Sequence, residues 1–597
     1  MVEYQVMLNS SAVAQQIARG LALSGVTEVV IAPGSRSAPL IYALAPLAEA
    51  GVIRMHVRID ERDAGFLALG LARGLRAKQS AGAGVGGAGR GAVALVTTSG
   101  SAVANLHPAV LEASYGRLPL IAITADRPAR LRGTGANQTI DDQSQVLSDV
   151  RARFDVPAGS VDAENLIAEA VVASLGTHTY EAGPVQFNVQ FDVPLVPSVT
   201  ELAEWAAEVK ALAPKVAGMR ANSPEAETSA SVRILPGTVI VAGDAGGHSA
   251  DSLKSLAEEY SIPVLAEPSS PLTTALRNSC AAVPAHARVL SERGDLRTAI
   301  RAVIVHGKPT LTRPVAALLA DSEVLVQRLP DDVDAVLLSV SDGAGAVRGA
   351  SAGEEPRDTS EDRTWREEWV AAGETIVAAS HREREVAAKS EAARAITEYL
   401  AGRAVNLFAA SSNTIRYLSE ATDVRAHIHA SRGLAGIDGL ISTATGLSIS
   451  LGEQVVLVIG DVAMLHDVGG LLTPSAEEDG NVLIVVLNDD GGAIFSGLEH
   501  SQNHVAPYLE RYFTVPHGRD FKDLAAAYGW EYAQVGLHDE SSLLNDFIAE
   551  FEQVQGSVED GPESRGQETS SGETGNADTS SREQTCLGRR IIEVKLP

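Results

Sequence analysis

Short apolar runs alternate with amphipathic helical patterns along most of this chain, and that alternation narrows the folds open to it. In the first third, VTEVVIAP gives way to the helix-like RDAGFLALGLARGL, then to AVALVTTSG, GSAVANLHPAVLEASYG and LPLIAITAD. Strand, helix and strand at such short intervals build units around a parallel sheet covered on both faces. The expected class is α/β, with doubly wound parallel sheets. With 597 residues, 45% of them hydrophobic, the chain exceeds what one core usually holds, so several domains are expected.

Three blocks carry the alternation. The first runs to about residue 195. A second, about 200–355, contains ILPGTVIVAGDAGG, IPVLAEPSS, AVIVHGKP and SEVLVQRLP, and the polar SDGAGAVRGASAGEEPRDTSEDR separates it from a third, about 365–597. That last block holds VNLFAASS, RAHIHAS, QVVLVIGD and NVLIVVLND as strand-like runs. Two stretches offer nothing to bury. KQSAGAGVGGAGRG, residues 78–91, is glycine-rich but lacks the Gly-Lys-Ser/Thr that closes a phosphate loop. From Ser557 to about Gln584 the chain is almost wholly Ser, Glu, Gly, Asp and Thr, so a disordered insertion is expected before CLGRRIIEVKLP forms a final strand.

Charge limits the partners. With 48 basic against 76 acidic residues the net charge is -28, which opposes nonspecific attraction to nucleic acid or an anionic membrane. Anionic substrates would need local basic residues. No apolar stretch reaches the roughly 18 residues of a membrane span, and MVEYQVMLNSSAVAQ lacks an export-signal layout, so a soluble cytoplasmic protein is expected. Cys280 and Cys586 are too few for a disulfide framework, and no His or Cys spacing indicates zinc.

Chemistry is concentrated at two strand ends. Gly460-Asp461 closes the apolar run VVLVIGD, and Asn488-Asp489-Asp490-Gly491 closes VLIVVLNDDGG. Hard oxygen donors outside the carboxyl ends of parallel strands suit Mg²⁺ holding a diphosphate, although the same residues also cap loops. The pair resembles the diphosphate motif of thiamine diphosphate enzymes, usually Gly-Asp-Gly and, some two dozen residues on, Asn-Asn. Here Val462 replaces the last glycine and Asp489 the second asparagine. The resemblance implies thiamine diphosphate with Mg²⁺, or Mn²⁺, held by Asp461, Asp489 and Gly491. The extra carboxylate beside a diphosphate implies tighter coupling of metal and cofactor binding. Glu61, in VRIDERDAGF, would alone read as an N-terminal helix cap. By the resemblance it is the glutamate that binds an aminopyrimidine nitrogen and activates the cofactor.

APGSRSAPL, IDERDAGFLALGLAR, TTSGSAVANLHPAVLEASYGRLPLIAITADRP, GTGANQTID, SRGLAGIDGLISTATG and NDDGGAIF follow in this order. Together they resemble the 2-succinyl-5-enolpyruvyl-6-hydroxy-3-cyclohexene-1-carboxylate (SEPHCHC) synthase family of menaquinone biosynthesis. The resemblance implies three domains of the thiamine diphosphate enzyme type: pyrimidine-binding, middle and diphosphate-binding. It implies decarboxylation of 2-oxoglutarate and addition of the succinyl-semialdehyde carbanion to isochorismate. Arginine forks suit those carboxylates. By the same resemblance Arg36, Arg416 and Arg432 contact substrate carboxylates, beside Ser35 on the cofactor side and Ser412 on the substrate side. Gln138 faces the intermediate, and Arg36, Gln138, Arg416 and Arg432 join Glu61 as catalytic candidates. Ile437 props the bent cofactor, and Ile494 and Phe495 either wall its pyrimidine or pack in the core. Arg127 is either a substrate contact or an ion-pair partner of Asp126, and Arg313 a further contact from the middle domain. His107, His466 and His500 lie near the motifs without a family role. A homodimer is the minimum unit implied, since the cofactor bridges two chains, and a tetramer is the expected assembly. A different carboligase of the same cofactor class, such as an acetolactate synthase, and a non-catalytic protein on the same fold are the competing readings.

Overall fold

The computed structural model describes residues 7–80, 91–176, 181–221, 228–341, 347–348, 360–383, 388–536, 543–559 and 589–597. Its first sheet holds β1 (Glu28–Ile31), β2 (Arg54–Val57), β3 (Val93–Thr97), β4 (Leu120–Asp126), β5 (Ala152–Val156) and β6 (Pro184–Gln190). All pair in parallel, in the order β2-β1-β3-β4-β6-β5. Side chains alternate faces along a strand, and both faces are dry. Val93 and Leu95 of β3 enter one core while Ala94 and Val96 enter the other.

The middle domain has β7 (Thr228–Arg233), β8 (Thr238–Ala242), β9 (Val264–Ala266), β10 (Ala302–His306), β11 (Leu325–Arg328), β12 (Val336–Ser341) and β13 (Val347–Arg348). A parallel sheet runs β11-β10-β8-β9, and a small sheet, β13-β12-β7, includes one antiparallel pair. The last domain has β14 (Asn406–Ala409), β15 (His427–His429), β16 (Val455–Gly460), β17 (Val482–Asn488), β18 (Glu531–Val535) and β19 (Arg589–Lys595), in the order β15-β14-β16-β17-β19-β18. Counted from its own first strand, this sheet repeats the order of the first. Along β17, Val482, Ile484 and Val486 face one core and Leu483, Val485 and Leu487 the other. The expected final strand is β19, inserted between β17 and β18.

Two helices at domain borders pack in ways that composition did not reveal. Val199–Ala221, near the expected start of the middle domain, buries Trp205, Val209 and Val216 in a core of the first sheet. Ser360–Glu383, which spans the border expected at 365, buries Trp369, Ala372, Ile376 and Val377 against β8 and β10. Of the expected insertion, residues 557–559 close the helix Leu543–Glu559, and the remainder lies outside the described residues, as do 81–90 of the glycine-rich stretch.

The outer domains meet where the helix Glu61–Ser80 crosses Leu440–Leu451. A Cβ on Gly70 would lie 2.0 Å from the Thr443 carbonyl oxygen, and one on Gly446 2.2 Å from that of Leu67, so only glycine permits this approach. Residues Leu440 to Ser450 are buried on every side. A buried fork from Arg73 to Asp244, 2.7 and 2.9 Å, ties the first of these helices to the middle domain. Among the described residues no helix is long and apolar enough to cross a membrane.

Candidate active site

In each outer sheet the chain leaves its first strand in one direction and its third in the other, and loops at the carboxyl ends of those strands open a crevice there. In the last domain Ala410–Asn413 follow β14, Asp461 follows β16, and Asp489, Gly491 and Gly492 follow β17. Together they border a cavity of about 460 Å³. The structure brings Ser412, Arg416, Arg432, Ile437, Asp461, Asp489, Gly491, Ile494 and Phe495 to that one cavity, nine residues singled out from sequence.

Buried Asp461 is held tightly. Its carboxylate accepts from the backbone N–H of Val462 at 2.7 Å and of Gly491 at 2.8 Å, joining the ends of β16 and β17. The Nδ1 of His517 accepts from the Arg519 N–H at 3.0 Å, so its Nε2 carries the proton and donates to Asp461, also at 3.0 Å. Asn488 is occupied elsewhere: its amide donates to Glu593 at 2.6 Å and to the Arg519 carbonyl at 3.2 Å. Asp489, the next residue, is the one on the cavity. Gly491 sits at φ +140, where a Cβ would meet the Thr514 carbonyl at 2.3 Å.

This donor set, two carboxylates and the carbonyl of Gly491, is all oxygen, as a hard cation requires. It cannot fill six positions alone. Among the described residues no group of three or more His, Cys, Asp or Glu side chains is placed to hold a metal; a cation held here would have its shell completed by a diphosphate and water. On the same cavity, desolvation and then the neighbouring Arg432 push the Arg416 guanidinium below its ordinary range. Two cations converging on one space favour an anion between them.

The first domain gathers a second set. Ser35 and Arg36 follow β1, Glu61 follows β2, and Arg127 follows β4. Arg127 donates to the Ser99 hydroxyl at 2.6 Å and to the Gln138 carbonyl, while the Gln138 amide donates to the Ser99 carbonyl at 2.9 Å. Arg127 is not the ion-pair partner of Asp126; Arg132 takes that place at 2.8 Å. Arg36 donates to the Phe191 carbonyl at 2.8 Å, and its Nε is buried without a hydrogen-bond partner. Desolvation, then Arg127, lowers its pKa. The capping role open to Glu61 is filled by Asp60, whose side chain accepts from the Arg62 N–H at 2.8 Å. Glu61 instead accepts from Asn105 at 3.2 Å.

Ser35, Arg36, Glu61, Arg127 and Gln138 do not line the cavity at Asp461. Nor does Arg313, whose side chain is 91% exposed with Glu499 at 3.5 Å. The middle domain reaches the cavity through Thr310 and Leu311, which the sequence reading passed over although they stand in VHGKPTLTRPV. Asn105 likewise stands in the helical pattern GSAVANLHPAVLEASYG. Only the fold reveals His517, 22 residues beyond Phe495, the end of the nearest motif.

Family models match parts of both outer domains. Residues 11–146 match the model of the thiamine pyrophosphate enzyme N-terminal TPP binding domain, and 411–559 that of the C-terminal TPP binding domain. The chain is 38% identical over 554 residues to the SEPHCHC synthase of Paenarthrobacter aurescens (strain TC1), covering 88% of this chain and 90% of that protein. It is 39% identical over 544 residues to that of Arthrobacter sp. (strain FB24), covering 86% and 83%. Against that of Kineococcus radiotolerans it is 37% identical over 556 residues, covering 89% and 92%. Identity of this extent across all three domains places it: the chain belongs to the 2-succinyl-5-enolpyruvyl-6-hydroxy-3-cyclohexene-1-carboxylate synthase family of thiamine diphosphate enzymes.

Proposed function

We infer that this chain is the thiamine diphosphate-dependent synthase that decarboxylates 2-oxoglutarate and joins the remaining four-carbon unit to isochorismate in menaquinone biosynthesis. The observation that carries the reading is the convergence of Asp461, Asp489, Arg416 and Arg432 on one cavity in a chain so extensively similar to such synthases.

Thiamine diphosphate, when bound, supplies the carbon nucleophile and the electron sink for decarboxylation. Asp461, Asp489 and the Gly491 carbonyl would hold Mg²⁺, or Mn²⁺, against its diphosphate. Ile437, Ile494 and Phe495 offer apolar walls for its rings and exclude water from them. Arg416 and Arg432, with Ser412, bind carboxylates at this end of the site. Arg36 and Arg127 do so at the other, where Gln138 faces the intermediate, Ser35 lies on the cofactor side and Glu61 exchanges a proton with a ring nitrogen. The negative charge of Asp489 couples metal to cofactor; tighter cofactor binding by Asp489→Asn at low Mg²⁺ would contradict this.

That the Asp461 cavity of one chain is lined without Glu61 supports a homodimer in which Glu61 of one subunit faces the Asp461 cavity of the other, with a tetramer as a pair of such dimers. A cytoplasmic location and Arg313 as an additional substrate contact belong to the same reading. The test is a coupled assay of CO₂ release and isochorismate consumption, with and without thiamine diphosphate and Mg²⁺, on the wild type and Glu61→Gln. Turnover of pyruvate with none of the proposed pair would favour an acetolactate synthase-type activity instead.

A further inference from the structure

Arg432, itself buried, sits on a loop that runs between two cavities. Along residues 431–438 the chain alternates between two spaces: Arg432, Ala435 and Ile437 line the 460 Å³ cavity, while Ser431, Leu434, Gly436 and Asp438 line a second one of about 300 Å³. Ala435 is held at φ +59, a conformation that L side chains rarely adopt. A strained wall between two voids keeps its shape only if something else fixes it.

The last domain's own Ser411 hydroxyl donates to the Ser431 carbonyl at 2.9 Å, and the remaining ties come from the other two domains. Buried Glu112, on the first-domain helix His107–Tyr115, accepts from the N–H of Gly433 and of Leu434, both at 2.7 Å. Lys308 of the middle domain donates to the Gly433 carbonyl at 2.7 Å and to the Tyr115 carbonyl at 2.5 Å. Both polar groups of the Gly433 backbone thus end on a charged side chain from another domain. A Cβ there would lie 2.4 Å from the Glu112 carbonyl, so no other residue fits. Two residues after Lys308, the Thr310 hydroxyl accepts from Arg432 Nη2 at 3.1 Å. The Thr310 and Leu311 N–H groups are themselves gripped by buried Glu267 at 2.9 and 2.6 Å, and the Lys308 N–H by the Asp244 carbonyl at 2.8 Å.

We propose that Glu112, Lys308 and Thr310 are positioning residues that hold the Arg432 guanidinium in place, so that the first and middle domains set the affinity of the last domain's site for a substrate carboxylate. The proposal rests on the reading of Arg432 as a carboxylate-binding residue. It gives the middle domain a part in substrate selection, although that domain holds none of the proposed metal ligands.

Initial rates of the full-length holoenzyme, measured against each substrate in turn, test it. Arg432→Ala is expected to raise KM for one substrate by roughly 100-fold. Thr310→Val, Lys308→Met and Glu112→Gln should each raise KM for that same substrate by about 5- to 10-fold, leaving kcat within about 2-fold. Thr310→Ser, which keeps the hydroxyl, should restore the wild-type KM. In the Arg432→Ala background Thr310→Val and Lys308→Met should add less than about 2-fold. Thermal melts and thiamine diphosphate titration check each fold; should Lys308→Met or Glu112→Gln melt early, the Thr310 pair decides alone. An unchanged KM in Thr310→Val, or an undiminished effect in the Arg432→Ala background, overturns the proposal. A KM unchanged in Arg432→Ala itself overturns the underlying reading instead.

Discussion

The two outer domains share one strand order, yet their strand ends carry different chemistry. After the first strand both present an arginine, Arg36 in one and Arg416 in the other. After the second, Glu61 stands where the other sheet offers Arg432. After the third, the neutral Ser99-Gly100 answers Asp461, and after the fourth, Arg127 answers Asp489. Even the helices following the two second strands, Glu61–Ser80 and Leu440–Leu451, are the ones that cross. The sheet supplies a frame, and the few residues just past each strand give its carboxyl edge a different charge in each domain.

The largest expected effect tests whether the halves need each other. Glu61→Gln and Asp461→Ala should each lower activity by about 10³-fold or more, the second with loss of cofactor binding. Coexpressed, they should recover roughly a quarter of wild-type activity, since random pairing in a two-fold dimer makes hybrids with one intact site. No recovery in purified hybrids would mean that each chain builds its site alone. Next come the arginines: Arg36→Ala and Arg416→Ala should each cost about 10²-fold in kcat/KM, and a loss confined to one domain would end the functional parallel.

A smaller effect concerns the crossing. Gly70→Val forces a side chain into the Thr443 backbone and should destabilise the fold by at least about 3 kcal/mol, read as an earlier thermal transition. The same change at exposed Gly218, where a Cβ meets nothing within 4 Å, serves as the control. Smallest is a pH effect in the middle domain. Burial raises the pKa of Glu267 from 4.5 to about 7. Between those values the folded chain binds a proton that the unfolded chain has released, so this group's contribution is full below about pH 4.5 and is lost as pH rises through 7. The stability of Glu267→Gln relative to wild type should therefore increase between pH 5 and 8, by on the order of 2 kcal/mol. A difference that stays flat across that range would show that Glu267 keeps one charge state throughout.

Much of this was legible in the sequence because it is local. Apolar runs of strand length followed by helical periodicity report burial on two faces, and Val93–Thr97 and Val482–Asn488 are buried as their composition requires. Residues at the ends of such runs could be assigned to a crevice before any fold was known, and Asp461, Asp489 and Gly491 do border one cavity. Thr310, Asn105 and His517 were harder to read because their parts depend on partners 122, 44 and 56 residues away. Arg313 was singled out in the same segment as Thr310, yet the fold turns its side chain to solvent.

The amino-acid order by itself determined the α/β class, the strand-end motifs and, through them, the family, because these depend on periodicity and neighbours along the chain. Tertiary structure alone decided which arginines face one another, which glutamate grips the Arg432 loop and which domain supplies Lys308. Such contacts arise only when distant segments are packed together, and no local pattern encodes the distance between them.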